Sequence, residues 1–348
     1  MPNKVIIGMS GGVDSSAAII KLQEMGYEVI GVTFRFIDEF DTEDAIKVAN
    51  KLGIEHHVED YRKEFKKEVI DKFLKDYEDG LTPNPCVHCN RHCKFKFLFE
   101  CMEKYNCDYV ATGHYAKIIN GKIYKSRDLE KDQSYFLYDL PKDKINKIIF
   151  PLEGLTKDEV RKIALSASLE NYNKKDSFDV CFINEDFREY MKKNLGFKQG
   201  DVINVQTGEK VGEHKGLMYY TIGQRRGLDI GGTKDRMFVV GKDMKKNILY
   251  ICLGEESSYL ESDACIIKDV NLLTNEKVTN CNAKFRYRMA DVPVELEYLN
   301  NGDILVKYDN VKRVTLGQAC VLYDNDLCLG GGIIKEIRKN NEKLWYIQ

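Results

Sequence analysis

Ser10-Gly11-Gly12-Val13-Asp14-Ser15-Ser16 follows directly on the apolar run Val5-Ile6-Ile7-Gly8-Met9. This junction constrains the chain more than any other stretch. The apolar run reads as a short buried strand. Ala17, Ala18, Ile20, Leu22 and Met25 then recur at helical spacing, so a helix must follow. Gly11 and Gly12 permit positive φ and close backbone approach at the turn between them. Their free N–H groups and the helix start form an anion nest, to which Ser10, Ser15 and Ser16 add hydroxyls. No lysine follows the glycines, which excludes the lysine-bearing loop of ordinary nucleoside triphosphatases. Asp14 beside an anion nest is expected to hold a cation.

The strand–helix rhythm continues. Strands are expected over 29–34, 54–60 and 109–112, with a helix over 45–52. This pattern predicts parallel βαβ units with ligands at the carboxyl ends of the strands, where the Ser10 loop, Phe34 and Gly113 stand. Ile118-Ile119, Asn120-Gly121 and Lys122-Ile123-Tyr124 read as a hairpin with a type I′ turn. Thr156-Lys157-Asp158-Glu159 is a capping box that opens a helix. From Gly200 the pattern changes to short strands and glycine turns, including Gly231 and Gly232. From about residue 259 the evenly spaced strand-like runs predict a small barrel.

Composition limits the function classes. With 348 residues, of which 43% are hydrophobic and 31% charged, the chain supports two or three globular domains. No apolar run is long enough to cross a membrane as a helix. The first strand begins almost at Met1, leaving no room for a signal peptide, so a cytoplasmic protein is expected. A net charge of −2 gives no global attraction to nucleic acid. RNA binding would rest on local clusters: Arg91, Lys94 and Lys96; Lys174 and Lys175; Arg225 and Arg226; Arg286 and Arg288.

Eleven cysteines in such a chain are not expected to be structural disulfides. Cys252, Cys265, Cys320 and Cys328 lie in strand-like runs and read as core residues. The segment Thr82-Pro83-Asn84-Pro85-Cys86-Val87-His88-Cys89-Asn90-Arg91-His92-Cys93 differs. Its prolines exclude a helix before Cys86, and a helix is expected to open near Lys94. A thiol near a helix start and several cations predicts a lowered pKa. Zinc is the rival reading for Cys86 and Cys89 with His92 or Cys93, but no second C-x-x-C accompanies them. His88 and His92 read as exposed loop histidines. Cys181 follows Lys174, Lys175 and Ser177, a setting that favours a reactive thiol.

The motifs SGGVDSS, TPNPCVHCNRHCKFK, ATGHYAK, KDQSYFLY, KKDSFDVCFI, GEHKGLMYYTIGQRRGLDIGG and LGQA with CLGGGII occur in order from residue 6 to residue 334. Together they resemble the tRNA-specific 2-thiouridylases. The resemblance implies an α/β fold, with a parallel-sheet ATP-pyrophosphatase domain over 1–197, a small central domain over 198–258 and a C-terminal β-barrel over 259–348. It implies ATP-dependent thiolation of the wobble uridine (position 34) of tRNA, with Mg²⁺ and a sulfur-donor relay protein. Carried over by motif, Gly8, Met9, Ser10, Gly11, Gly12, Val13, Asp14 and Ser15 would hold ATP phosphates, and Phe34 and Gly113 the adenosine. Cys89 matches the nucleophile and Cys181 the persulfide carrier. His114, Lys131, Asp132, Gln133, Arg286, Tyr287 and Gln318 match tRNA contacts, and Asn84, Pro85 and Cys86 the segment beside the target base.

Many members of the family carry aspartate where Cys86 stands. With cysteine there, Cys86, Cys89 and Cys181 become candidate ligands of a [4Fe-4S] cluster, with Cys93 a further ligand. Asp14 is expected to help organise Mg²⁺. Two alternatives stand beside this reading: another ATP-pyrophosphatase that adenylates a metabolite, and a zinc-stabilised RNA-binding module without catalysis.

Overall fold

The computed structural model describes residues 2–39, 42–173, 180–196, 198–228, 236–255 and 257–347. Lys174, Lys175, Ser177, Gly231 and Gly232 lie outside them. The chain divides into two compact units. The first holds Met1–Asp71, Pro85–Phe182 and Asp326–Leu329; the second holds Lys72–Asn84, Ile183–Asn325 and Gly330–Gln348.

The first unit is built on β1 (Lys4–Gly8), whose apolar residues are buried on both faces, as a central parallel strand requires. It leads into α1 (Val13–Glu24), which buries Ala17, Ala18, Ile19 and Leu22. Then come β2 (Glu28–Arg35), α2 (Glu43–Leu52) and β3 (Glu55–Asp60). A helical stretch follows, consisting of α3 (Arg62–Phe65) and a π-helical turn (Lys66–Ile70), after which α4 (Asp71–Glu78) carries the chain into the second unit. A second stretch repeats that plan with α5 (Pro85–Cys89), a π-helical turn (Asn90–Lys94) and α6 (Phe95–Lys104). β4 (Tyr109–Ala111), the hairpin strands β5 (Lys117–Ile119) and β6 (Lys122–Tyr124), β7 (Ile148–Ile149) and α7 (Lys157–Ser166) complete the unit. The sheet is parallel with strand order β3-β2-β1-β4-β7. Its chain path reverses between β1 and β4, the position where open α/β sheets bind ligands at their carboxyl edge. The β5–β6 turn is type I′ as expected, with φ of 51° at Asn120 and 69° at Gly121. Thr156 and Glu159 form the expected capping box.

The prolines keep residues 81–84 non-helical as expected, but the helix opens at Pro85, the first residue of α5, and not near Lys94. At that position the missing N–H costs nothing and the fixed φ suits the helix. Cys86 and Cys89 therefore share one helical turn, and the helix runs on through the π turn rather than opening at Lys94.

In the second unit, α8 (Phe187–Leu195) is capped by Asp186, which accepts from the Arg188 and Glu189 amides. β8 (Gly200–Asn204), β9 (Lys210–His214), β10 (Met237–Asp243) and β11 (Ile248–Leu253) make a sheet of order β10-β11-β8-β9. Val202, Leu217, Val239, Leu249 and Ile251 are buried on its core face. β12 (Glu261–Leu272), β13 (Asn280–Lys284), β14 (Val292–Tyr298), β15 (Ile304–Lys312), β16 (Ala319–Asp324) and β17 (Leu327–Lys339) pair in the order β12-β15-β14-β13-β16-β17. β17 pairs back with β12, so the six strands close into the expected barrel. Cys252, Cys265, Cys320 and Cys328 are buried, as their strand positions implied.

Candidate active site

The Ser10 loop is held by its own hydroxyls. Ser15 Oγ accepts from the Ser10 amide (3.4 Å) and donates to the Gly12 carbonyl (3.1 Å), and Ser16 Oγ donates to the same carbonyl (2.9 Å). Ser10 Oγ accepts from the Gly12 amide (3.4 Å). Ser15 and Ser16 are therefore buried scaffolding, whereas Ser10 is exposed. Gly11 has φ of +70°, and a Cβ there would lie 2.7 Å from Asp44 Cβ at the start of α2. A Cβ at Gly113 would lie 2.9 Å from the Asp14 carbonyl carbon and 3.0 Å from the Ser15 nitrogen. The end of β4 thus sits directly against the first turn of α1, and only glycine fits there.

The missing lysine of this loop arrives from 143 residues away. Lys157 Nζ, at the first turn of α7, donates to both Asp14 carboxylate oxygens at 2.7 and 2.8 Å. Tyr115 Oη donates to the same carboxylate at 2.8 Å. Asp14 does face a cation, and it is the protein's own lysine. The cation is fixed in turn, since Asp128 Oδ2 accepts from the Lys157 amide (2.9 Å).

Several residues expected at the nucleotide or RNA make internal contacts in this structure. Phe34 is buried edge-on against Tyr61 (5.5 Å) and Phe97 (6.0 Å), so its ring belongs to an aromatic cluster. His114 is buried, bonded to Thr112 Oγ1 through Nδ1 (2.6 Å) and stacked on Phe95. Burial, and secondarily Lys94, holds its pKa well below the usual histidine value. This is the placement of a core histidine rather than an exposed contact. Asp132 is also buried; it accepts from the Ser126 amide (3.0 Å) and from Ser134 Oγ (2.7 Å). Gln133 Oε1 accepts from the Tyr115 amide (2.9 Å), which positions the tyrosine that meets Asp14. Lys131 is half-buried.

The cysteines converge. Cys86 and Cys181 are exposed and Cys89 is half-buried. Cys89 lies within electrostatic reach of both Cys86 and Cys181, and Cys181 within reach of Cys86. Next to Cys181, Phe182 is buried edge-on against Phe65 (5.9 Å), anchoring that end of the segment. Asn90 Nδ2 donates to the Phe136 carbonyl (3.0 Å) and Arg91 pairs with Asp139 (3.1 Å), fixing the cysteine helix from the other side. The lowered thiol pKa expected from sequence is overturned. Protein packed around the sulfurs of Cys86, Cys89 and Cys181 desolvates them and pushes all three upward, although Cys86 and Cys181 reach solvent, and Lys94 offsets this only in part. Cys93 is fully buried and also raised, to about 12, again mainly by burial. His88 and His92 are not exposed loop residues either: both are half-buried, with rings stacked at 4.2 Å.

In the second unit, Arg286 Nη2 donates to the Ile222 carbonyl (2.9 Å) and the Arg313 carbonyl (2.6 Å), so this expected RNA contact is bound inside the unit. Gln318 Nε2 donates to the Thr82 carbonyl (2.7 Å), docking the segment that ends at Asn84. Tyr287 is half-buried, while Arg225, Arg226 and Arg288 are exposed. Gln224, Arg225, Arg226, Phe238, Glu255 and Arg313 line a cavity of about 530 Å³. It is basic, but none of the residues of the Ser10 loop and none of the thiols lines it.

A glycine-rich anion loop at a sheet's switch point, on a domain that also gathers three thiols, defines an α/β nucleotide-binding domain equipped for sulfur chemistry. Family comparison agrees segment by segment: residues 3–185 match a tRNA methyl transferase HUP domain, 188–253 a tRNA methyl transferase PRC-barrel domain, and 262–334 an aminomethyltransferase β-barrel domain. A tRNA-specific 2-thiouridylase MnmA of Listeria welshimeri is 45% identical, covering 99% of this chain and 98% of that protein. The protein of the same name from Mycoplasmopsis synoviae is 41% identical over the same shares. Among solved structures, a 4-thiouridine synthetase–RNA complex with bound ATP aligns with 52% of this chain and 45% of its own, at 20% identity and a TM-score of 0.35. The chain belongs to the family of the tRNA-specific 2-thiouridylases. Its full-length match disfavours the metabolite-adenylating alternative and the non-catalytic RNA-binding module. No described helix is long and apolar enough to cross a membrane.

Proposed function

We propose that this protein catalyses ATP-dependent 2-thiolation of the wobble uridine of tRNA in the cytoplasm, taking sulfur from a donor relay protein. The observation that carries the reading is the gathering of Cys86, Cys89 and Cys181 into one electrostatic group on the domain that bears the Ser10 loop. The family models carry a methyl-transferase description, but three thiols within electrostatic reach of one another favour sulfur transfer over methyl transfer. That set suits nucleophilic catalysis through a thiol.

The residues divide the work as follows. The backbone of Gly8 to Ser15 receives the ATP phosphates, with exposed Ser10 as the hydroxyl donor. Mg²⁺ enters with those phosphates, beside the Asp14–Lys157 pair. Phe34 and Gly113 meet the adenosine through their backbone, because the Phe34 ring is already committed. The uridine C2 oxygen attacks the α-phosphorus; the bond to the β-phosphate breaks and pyrophosphate leaves. The terminal sulfur of a Cys181 persulfide then bonds to C2, and AMP departs with the oxygen. Cys89 attacks the Cys181 sulfur, breaking the sulfur–sulfur bond. Thiouridine is released, leaving a Cys89–Cys181 disulfide for a dithiol reductant. Asn84, Pro85 and Cys86 flank the target base, with Lys131, Tyr287 and Gln318 on the tRNA backbone.

A second route has support from the same thiols. Cys86, Cys89 and Cys181 offer the all-sulfur donor set of a [4Fe-4S] cluster, which when bound would supply an iron Lewis acid toward sulfide. Iron and acid-labile sulfide assays on anaerobically purified protein separate the two routes: active, iron-free protein excludes the cluster.

The central test uses Cys89→Ser and Cys181→Ser. Each variant is expected to abolish thiolation while tRNA-dependent pyrophosphate release persists. Full thiolation by either variant would remove the relay.

A further inference from the structure

The two π-helical turns, Lys66–Ile70 and Asn90–Lys94, pack against each other in the first unit. Insertions of this kind often mark functional positions. Across this contact lie Glu68, His88 and His92, all half-buried. One ligand-type atom from each lies within 4.8 Å of the other two, and among the described residues no other trio of histidine, cysteine or carboxylate side chains meets that condition. The two imidazoles stack at 4.2 Å with 26° between their planes, following from the four-residue spacing that places them on one helix face.

We propose that Glu68, His88 and His92 form a binding site for a divalent transition-metal ion of the zinc class, separate from the sulfur chemistry. Two imidazole nitrogens and one carboxylate oxygen are a donor set that suits Zn²⁺ and leaves a fourth position for water. Ligand atoms around tetrahedral zinc stand about 3.4 Å apart, as bonds of about 2.1 Å require. With the ligand atoms within 4.8 Å of one another, closing the site needs a contraction of at most about 1.4 Å and a turn of one imidazole ring. The bound ion would clamp the π-helical turn Lys66–Ile70 to the helix that carries Cys86 and Cys89. His88 adjoins Cys89, so the clamp would fix that cysteine's helical turn in place. Charge favours it too, since a cation is attracted to the Glu68 carboxylate.

The inference does not depend on the proposed reaction, and its test reads metal binding directly. Full-length, chelator-treated protein is titrated anaerobically with Zn²⁺ by calorimetry and with Co²⁺ by absorption spectroscopy. One ion per chain is expected, with visible cobalt ligand-field bands and no sulfur-to-cobalt charge-transfer band. Glu68→Gln and His92→Ala should each weaken binding at least about tenfold, with metal-free melting curves matching the wild type, whereas Cys86→Ser and Cys89→Ser should bind as the wild type does. His88→Gln serves as the second histidine variant should His92→Ala fail to fold. A charge-transfer band, loss of binding in the cysteine variants, or equal affinity in wild type and the Glu68 and histidine variants would overturn the assignment, as would absence of binding to the folded wild type.

Discussion

Lys157→Met removes the cation that answers Asp14 beside the anion loop. The lysine contacts both carboxylate oxygens at 2.7 and 2.8 Å, and its side chain is only 11% exposed, while that of Asp14 is 35% exposed. At an intermediate effective dielectric such a contact is worth about 4 kcal/mol in gross attraction. Desolvation and the solvent reaching Asp14 reduce the net loss to about 1–2 kcal/mol. A urea titration should show this as a lower midpoint, and Asp14→Asn with Lys157→Met should form a non-additive cycle of similar size. The carboxylate left behind also repels incoming polyphosphate. A penalty of about 1.4 kcal/mol corresponds to a tenfold change, so the KM for ATP in tRNA-dependent pyrophosphate release should rise about tenfold. An unchanged midpoint together with an unchanged KM would refute the reasoning, because the pair would then neither stabilise the loop nor screen the nucleotide.

Three further outcomes are expected. Gly113→Ala places a Cβ 2.9 Å from the backbone of Asp14, an overpacking cost of about 1–3 kcal/mol, and should weaken ATP binding while leaving alkylation of Cys181 unaltered in a mass-spectrometric assay. Burial lowers the Lys242 pKa from 10.5 to about 7. Between those values the unfolded chain binds one more proton than the native one, so stability rises with pH across the window by about 5 kcal/mol. Lys242→Met should flatten that rise in urea midpoints measured from pH 7 to 10 and be more stable than wild type at pH 7; an unaltered slope would contradict the burial. If tRNA is held by exposed cations such as Arg225, Arg226 and Arg288, binding should fall steeply with salt in filter assays, and a flat response would remove these residues from the interface.

What could be read from sequence was what local chemistry dictates. The Ser10 turn, the Asn120-Gly121 hairpin and the Thr156 capping box each declare themselves within a few residues, and all three form as expected. The core cysteines of the barrel were legible for the same reason, since their strand context is local. What could not be read depends on residues meeting across the fold. Lys157 reaches Asp14 over 143 positions, and no spacing rule announces it. Pro85 is a helix breaker in most contexts and a helix starter in one, and only the observed α5 decides between them. Thiol acidity failed because nearby cations were visible in the sequence while burial was not. The burial of His114 and Asp132 and the internal bonding of Arg286 were hidden in the same way: a polar residue in a motif looks identical whether it faces a ligand or supports one that does.

The most direct measurement follows a sulfur atom. Protein carrying an isotopically labelled persulfide on Cys181 is mixed with tRNA and ATP in a single turnover, and both tRNA nucleosides and protein peptides are read by mass spectrometry. The account predicts labelled 2-thiouridine in step with pyrophosphate release, with Cys89 and Cys181 left as a disulfide. Label that stays on the protein or is shed as sulfide while the uridine is unchanged would contradict it.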